Sequence, residues 1–253
     1  MYKQMKNNLW ILCVCVAFHT TAQKKERVLF VGNSFTFYYN IPTTVEQMAN
    51  ERGLGWKVNQ STAGGATLKQ HWEGKKQLKT KRILKRKRFS RIVFQDHSTY
   101  PITAIDTTVK YLKLLQSTAK GAPKHYLYAT WAYPGIPGNI SNSLPIEKAL
   151  KEKAMDSPST LVPVGRAFDR FKAMYPEIPL LTADDKHPSP NGSYLAACVL
   201  FAQLSGQSTK GLERRAVSKQ RKGKQLYYYI VETDVAKKCQ RIADEIVLGI
   251  TLE

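Results

Sequence analysis

Short apolar runs alternate with longer amphipathic segments along most of this chain, and that alternation restricts the fold more than any other feature. "RVLFVG" (27–32), "WKVNQST" (56–62), "RIVFQ" (91–95) and "HYLYATWA" (125–132) read as strands. Between them, "IPTTVEQMANERG" is a helix that opens with Pro42 and stops at Gly53. A long basic helix is expected from about Thr67, and "TAIDTTVKYLKLLQSTAKG" is the helix after the third run. "LPIEKALKEKAM" and "VGRAFDRFKAMYP" are further helices, "PLLTA" a short strand, and "DVAKKCQRIADEIVLGI" a final amphipathic helix. Strands separated by helices need crossover connections, so the expected class is α/β, with a central parallel sheet covered by helices on both faces. No repeat or interdomain linker interrupts the pattern, and residues 23–253 are expected to form one domain.

Residues 1–22 have a different character. Lys3 and Lys6 precede the apolar run Leu9–Phe18, which is too short to span a bilayer, and small residues lead to Ala22. This is the pattern of a cleaved signal peptide, with an uncleaved anchor as the alternative. The mature chain is then expected to be exported, periplasmic or extracellular, with no transmembrane segment after cleavage. Cys13 and Cys15 leave with the leader, while Cys198 and Cys239 remain in segments that read as apolar helix faces. A disulfide and two buried thiols are both open for that pair. The chain has no Cys-x-x-Cys or His-Glu-x-x-His, and His71, His97, His125 and His187 are scattered. Neither a metal nor a cofactor is expected.

The formal charge is +20, concentrated in "KKQLKTKRILKRKRFSR", Lys75–Arg91. Such a stripe can hold a polyanion. It nearly lacks aromatic residues for base stacking, so no nucleic-acid partner is expected. A solvated helix face is the favoured reading and an acidic polysaccharide the second. Ile83, Leu84 and Phe89 are its expected inward residues.

Ligands of parallel sheets bind at the carboxyl ends of the strands, and four loops there carry chemistry. The first strand ends in Gly32-Asn33-Ser34, the second runs into "STAGGATL" (61–68), and the third ends in "FQDHS" (94–98). Late in the chain, Asp184 precedes His187 by three residues, and Ser189-Pro190 supplies a helix N-cap and first position just beyond. A serine hydroxyl needs a base, and an imidazole needs a carboxylate to fix its tautomer. Ser34, His187 and Asp184 provide that set. The developing oxyanion needs fixed donors: the Ser34 backbone N–H, an N–H of the glycine pair, and a side-chain amide that Gln95 can supply. Each residue also has an ordinary structural reading. Ser34 can cap a helix, Asp184 a turn, Gln95 can satisfy strand-end groups, and the glycines can form turns. His71 and Trp131 border the pocket or pack beneath it, and His125 reads as a core histidine.

The blocks "GNSF", "GGATL" and "DDKHPSPNGSYL" resemble those of the GDSL/SGNH hydrolase superfamily, with "TWAYPG" and "PVGRAF" in keeping. The match is to an exported bacterial branch with GNS in place of GDS. The resemblance implies a three-layer α/β/α flavodoxin-like fold and a serine esterase. By position it implies Ser34 as nucleophile, His187 as base, Asp184 as its orienter, and Gly65 as backbone donor with Gly64 one register away. The third block usually carries Gly-x-Asn, whereas this chain has Gln95-Asp96-His97-Ser98. Gln95 is the assigned third oxyanion donor and His97 its competitor. The Gly-x-Ser-x-Gly elbow of other α/β hydrolases is absent. The expected function is a serine carboxylester hydrolase that removes acetyl or other short acyl groups from a small-molecule or glycan ester. A lipase, lysophospholipase or thioesterase is the alternative within that chemistry, with Phe35, Phe37, Tyr38 and Tyr39 as an apolar stripe. A non-catalytic polyanion-binding protein using residues 75–91 is the alternative of another class.

Overall fold

Val28, Leu29, Phe30 and Val31 are all wholly buried, so the strand that holds them is covered on both faces. This is β1 (Glu26–Gly32), the middle of the fold in a computed structural model that describes residues 26–154, 159–219 and 225–250. The signal peptide expected at 1–22 lies outside the described residues. β1 pairs in parallel with β2 (Trp56–Thr62) on one side and β3 (Arg91–Phe94) on the other, followed by β4 (Lys124–Ala129) and β5 (Ser159–Pro163). The order is β2-β1-β3-β4-β5. Connections leave β1 and β3 in opposite directions, which opens a crevice between their carboxyl ends, the usual ligand position in flavodoxin-like sheets.

The helices are α1 (Ser34–Phe37), α2 (Ile41–Glu51), α3 (Leu68–Glu73), α4 (Thr80–Arg86), α5 (Tyr100–Thr103), α6 (Ile105–Thr118), α7 (Leu144–Ala154), α8 (Val164–Met174), α9 (Pro190–Ser205) and α10 (Thr233–Leu248). Two layers form. In one, α9 packs against α2, α8 and α10; in the other, α6 packs against α3, α4 and α7. The expected three-layer α/β/α arrangement is therefore the observed one. α9 is apolar nearly all round and lies deep. A Cβ on its Gly192 would meet the Leu180 carbonyl oxygen at 2.1 Å, so only glycine allows this helix to seat.

Three sequence expectations change. "PLLTA" forms no strand; Leu181 makes only an isolated bridge with Pro188, and the fifth strand is Ser159–Pro163. The basic helix is not continuous. Thr67 opens α3 with a capping box, Gly74 ends it at φ 73°, and Lys76 and Gln77 are also left-handed before α4 begins at Thr80. The break turns Lys76 back so that its Nζ donates to the Gly64 carbonyl. Leu84 and Phe89 are buried and Ile83 packs partly, as expected. Third, β6 (Arg215–Lys219) and β7 (Gln225–Ile230) form an antiparallel hairpin that the sequence reading did not foresee.

Cys198 and Cys239 are free thiols, both buried. Among the described residues no helix is long and apolar enough to cross a membrane.

Candidate active site

The turn after β1 is built by close packing. A Cβ at Gly32 would lie 2.3 Å from Thr36 Oγ1 and 2.7 Å from Gln95 Oε1, so the strand must end on glycine. Asn33 then caps α1: its Oδ1 accepts the Phe35 N–H at 3.1 Å. Its Nδ2 donates to the carbonyls of Ala66 (2.9 Å) and Asp96 (3.3 Å), which joins the first loop to the second and third. Ser34, the first residue of α1, is thereby held at the mouth of the crevice, and its backbone N–H has no protein acceptor among the described residues.

The loop before α9 delivers His187. His187 Nε2 is 2.9 Å from Ser34 Oγ, and His187 Nδ1 is 2.5 Å from Asp184 Oδ2. A carboxylate accepts only, so Nδ1 carries the proton and Nε2 faces the serine as an acceptor. Asp184 Oδ1 also accepts the backbone N–H groups of Lys186 (3.0 Å) and His187 (2.9 Å) and the Thr182 hydroxyl (2.6 Å). The bond to the His187 side chain, then those from Thr182 and the His187 backbone, hold the Asp184 carboxyl well below the usual carboxylate range. Ser189 caps α9 as expected, its Oγ accepting the Gly192 N–H at 3.3 Å. Two aromatic residues steady the imidazole: Tyr38 stacks on it at 4.2 Å and 10°, and Phe35 tilts against it at 5.5 Å. Trp131 is buried, stacked between Phe35 and Phe168, and its Nε1 donates to the Lys186 carbonyl at 3.0 Å. It braces the His187 loop from behind.

Another side of the pocket is formed by the second and third loops. Gly65 has φ 59°, the left-handed region that favours glycine, and its N–H has no protein acceptor among the described residues. Asp96 ties the loops together. It accepts the Leu68 N–H (2.8 Å) and His97 N–H (2.7 Å) on Oδ1 and the Thr108 hydroxyl (2.6 Å) on Oδ2. Burial nevertheless raises its pKa.

Gln95 does not face this space. Its Oε1 accepts the Asn33 N–H (3.0 Å) and the Thr36 hydroxyl (2.9 Å), and its Nε2 donates to the Asp96 carbonyl. The amide is buried and absent from the pocket wall, because the turn at Asn33 leaves a buried N–H and hydroxyl that need an acceptor. His97 stands in the pocket instead. Its Nδ1 lies 2.9 Å from Thr99 Oγ1 and takes the Thr99 N–H at 3.4 Å. A peptide N–H can only donate, so the ring proton sits on Nε2, for which the described residues offer no acceptor. Burial, then the charges of Lys186 and Lys76, lower the His97 pKa and keep the ring neutral.

Ser34, Gly65, His97 and His187 thus share one cavity of about 430 Å³, walled also by Phe37 and Tyr38. Lys186, at its rim, places its Nζ 5.2 Å from the Tyr133 ring centroid. The sequence reading gave Asn33 and Lys186 no role of their own and named Tyr38 only as part of an apolar stripe; adjacency to Ser34 and to His187 was the available signal. His71 proves to be packing. It is wholly buried, with Nε2 3.0 Å from the Gly32 carbonyl and Nδ1 2.7 Å from Thr80 Oγ1, and burial lowers its pKa to about 4. No group of three or more metal-ligating side chains occurs among the described residues.

No family model matches the chain, and no curated protein does either. Solved structures do. A candidate SGNH hydrolase from Slackia heliotrinireducens is 27% identical with a TM-score of 0.61, covering 72% of this chain and 100% of that one. A DUF4886 family protein from Bacteroides uniformis aligns over 89% of this chain and 95% of its own at a TM-score of 0.67 and 16% identity. The acetylxylan esterase Axe2 from Geobacillus stearothermophilus aligns over 74% and 97% at a TM-score of 0.55 and 16% identity. The latter two likenesses speak to the fold. With the sheet order, the three sequence blocks and the Slackia structure in agreement, the chain belongs to the GDSL/SGNH hydrolase superfamily.

Proposed function

We propose that this protein is a serine carboxylester hydrolase that removes acetyl or other short acyl groups from glycans. One observation carries the reading: Ser34, His187 and Asp184 form a continuous relay, 2.9 Å and 2.5 Å at its two steps, at the head of an accessible cavity. In this mechanism His187 Nε2 takes the Ser34 proton as Oγ attacks the ester carbonyl, and Asp184 stabilises the imidazolium. The tetrahedral oxyanion is met by the Ser34 and Gly65 N–H groups and by His97 Nε2–H. His187 then protonates the departing sugar oxygen, and water, activated by the same ring, releases the acid and restores Ser34.

Phe35 is buried against the imidazole and Tyr38 is stacked on it, so these two rings of the aromatic stripe are taken up by the site itself, which supports a short acyl group over a long one. Acetylxylan esterases among the structures of the same fold are in keeping with an acetylated glycan. A purely polyanion-binding role would leave the Ser34–His187–Asp184 arrangement without a use. The leader in the sequence supports export of residues 23–253 as one domain. The test is release of acid from acetylated sugars and from p-nitrophenyl esters of rising chain length. Preference for acetyl is expected. Activity that grows with chain length would favour a lipase or thioesterase, and no turnover of any ester would end the hydrolase reading.

A further inference from the structure

We propose that an uncharged groove next to the ester pocket holds the adjoining sugar rings of an extended glycan chain; this rests on the glycan-esterase reading above. The groove, about 550 Å³, lies at the carboxyl end of the edge strand β2, between the kink at Tyr39–Asn40 and strand β7. Phe37 and Gly64 belong to its wall and to that of the ester pocket, so the two spaces adjoin. A chain lying in the groove would therefore carry its ester substituent to Ser34.

The wall chemistry selects the occupant. In a chain of formal charge +20, no charged side chain lines this groove. Three aromatic rings (Phe37, Tyr39, Tyr228) alternate with Asn40, Gln60 and Thr62. The Gln60 amide and the Thr62 hydroxyl have no protein partner among the described residues. Asn40 Oδ1 accepts the Thr43 hydroxyl at 2.9 Å, which leaves its NH₂ free. Sugar rings offer apolar C–H faces for aromatic walls and hydroxyls that both donate and accept, matching amides and hydroxyls. An acyl chain would leave those polar groups unpaired on desolvation, and the wall offers a polyanion no charged side chain, the nearby Lys76 being held on the Gly64 carbonyl.

The groove is also held in shape. Tyr39 and Asn40 both have left-handed backbone (φ 45° and 59°), unfavourable for a tyrosine and found where surrounding structure enforces it. Tyr229 supplies that enforcement. It is buried, meets Tyr39 edge-on at 6.2 Å and 85°, and its hydroxyl lies 3.0 Å from Thr44 Oγ1 on α2. Gln47, also on α2, brackets the backbone N–H and carbonyl of Val217 in β6. The hairpin is thus clamped to α2, and Tyr228 is set beside the groove by its neighbour.

Two measurements test this. First, kcat/KM is compared for p-nitrophenyl acetate and for acetylated xylo- and manno-oligosaccharides of increasing length, in wild type, Gln60→Ala and Tyr228→Ala. Wild-type kcat/KM should rise with oligosaccharide length. Each variant should lose about threefold to tenfold on the longer oligosaccharides while p-nitrophenyl acetate turnover stays unchanged. Length-independent kcat/KM, or equal losses on both substrate types, would overturn the proposal. Second, unacetylated xylo- and manno-oligosaccharides are titrated against Ser34→Ala protein with and without Tyr228→Ala. Binding weakened by Tyr228→Ala supports the groove, and no binding by either protein overturns it. Failure of wild type to cleave any ester would sink the esterase reading, while this titration would still decide the groove.

Discussion

The backbone N–H of Asn33 donates to Gln95 Oε1 at 3.0 Å, across 62 residues of sequence. Gln95 is thus part of the floor beneath Ser34. Gln95→Ala should lower the thermal midpoint, because the Asn33 N–H and Thr36 hydroxyl lose a buried acceptor, at about 1–3 kcal/mol. His97→Ala should leave the midpoint nearly unchanged and reduce kcat on the order of 10²-fold with little change in KM. His97→Asn, which keeps a side-chain N–H, should recover part of that loss. Rate loss confined to Gln95→Ala would return the oxyanion role to the glutamine.

Ser34→Ala and His187→Ala should each reduce ester turnover by roughly 10⁶-fold, and Asp184→Ala by roughly 10⁴-fold, with all three proteins folded. The smaller loss at Asp184 follows from its role: without it the base remains, less well oriented. Steady-state rates on p-nitrophenyl acetate, with circular dichroism as the fold control, decide the ranking.

Asn33 must be an amide here. Its Nδ2 points at two carbonyl oxygens, those of Ala66 and Asp96. Asn33→Asp would aim a buried carboxyl at the same oxygens, which raises its pKa. The variant should be least impaired at acid pH, where the acid is protonated and can donate, and should lose stability as pH rises, by about 2–3 kcal/mol at neutrality. Denaturant midpoints at several pH values read this directly; a pH-independent difference from wild type would count against it.

His71 gives the wild-type protein a defined acid sensitivity. Burial lowers its folded pKa from 6.5 to about 4. Above pH 6.5 the ring is neutral whether folded or unfolded and contributes no pH dependence. Between 6.5 and 4 the unfolded chain binds a proton that the native chain refuses, so stability falls, by on the order of 3 kcal/mol at the lower end. His97 and His125, also lowered by burial, act in the same direction. In His71→Gln the midpoint should be lower at pH 8, and its decline from pH 6.5 to 4 should be shallower than in wild type.

The basic run separates into two parts. Lys76 reaches the Gly64 carbonyl beside the pocket, whereas Lys85, Arg86, Lys87 and Arg88 lie exposed in and beyond α4. Neutralising those four should leave hydrolysis of a small neutral ester unchanged. It should weaken activity on an acidic acetylated polysaccharide at low salt, and the difference should vanish once salt shortens the Debye length below about 8 Å. An equal response of both substrates, or none from either, marks the run as a solvated surface.

The sheet was legible because strands buried on both faces leave apolar runs, as β1, β3 and β4 do, while the half-exposed edge strand β2 was marked only by Trp56 and Val58 ahead of a polar stretch. β5 was not: "STLVP" and "PLLTA" are equally short and apolar, and which of them pairs depends on the sheet edge left open by β4. Gly74 did mark the break in the basic helix, but left-handed Lys76 and Gln77 have no sequence signature. At the third loop, Gln95 and His97 have the same alternation parity, so strand periodicity could not choose between them. What decides is the demand of Asn33 N–H and Thr36 for an acceptor, which arises only once two distant loops meet. The contact between Asp184 and His187 was readable since the two share one turn.

That turn has a further consequence. Asp184 is bound by Thr182, Lys186 and His187, all within five residues, so Asp184 and His187 travel as one locally tied unit. Only one long-range separation, Ser34 to His187, has to be inherited from the whole fold, with Trp131 gripping the unit at Lys186. Insertions elsewhere on the surface can then accumulate without detuning the relay, so long as α9 still begins where it does. The segment 182–190 should tolerate transplantation into a related sheet as a single cassette, whereas moving Ser34 or Gly65 alone would carry none of its geometry along.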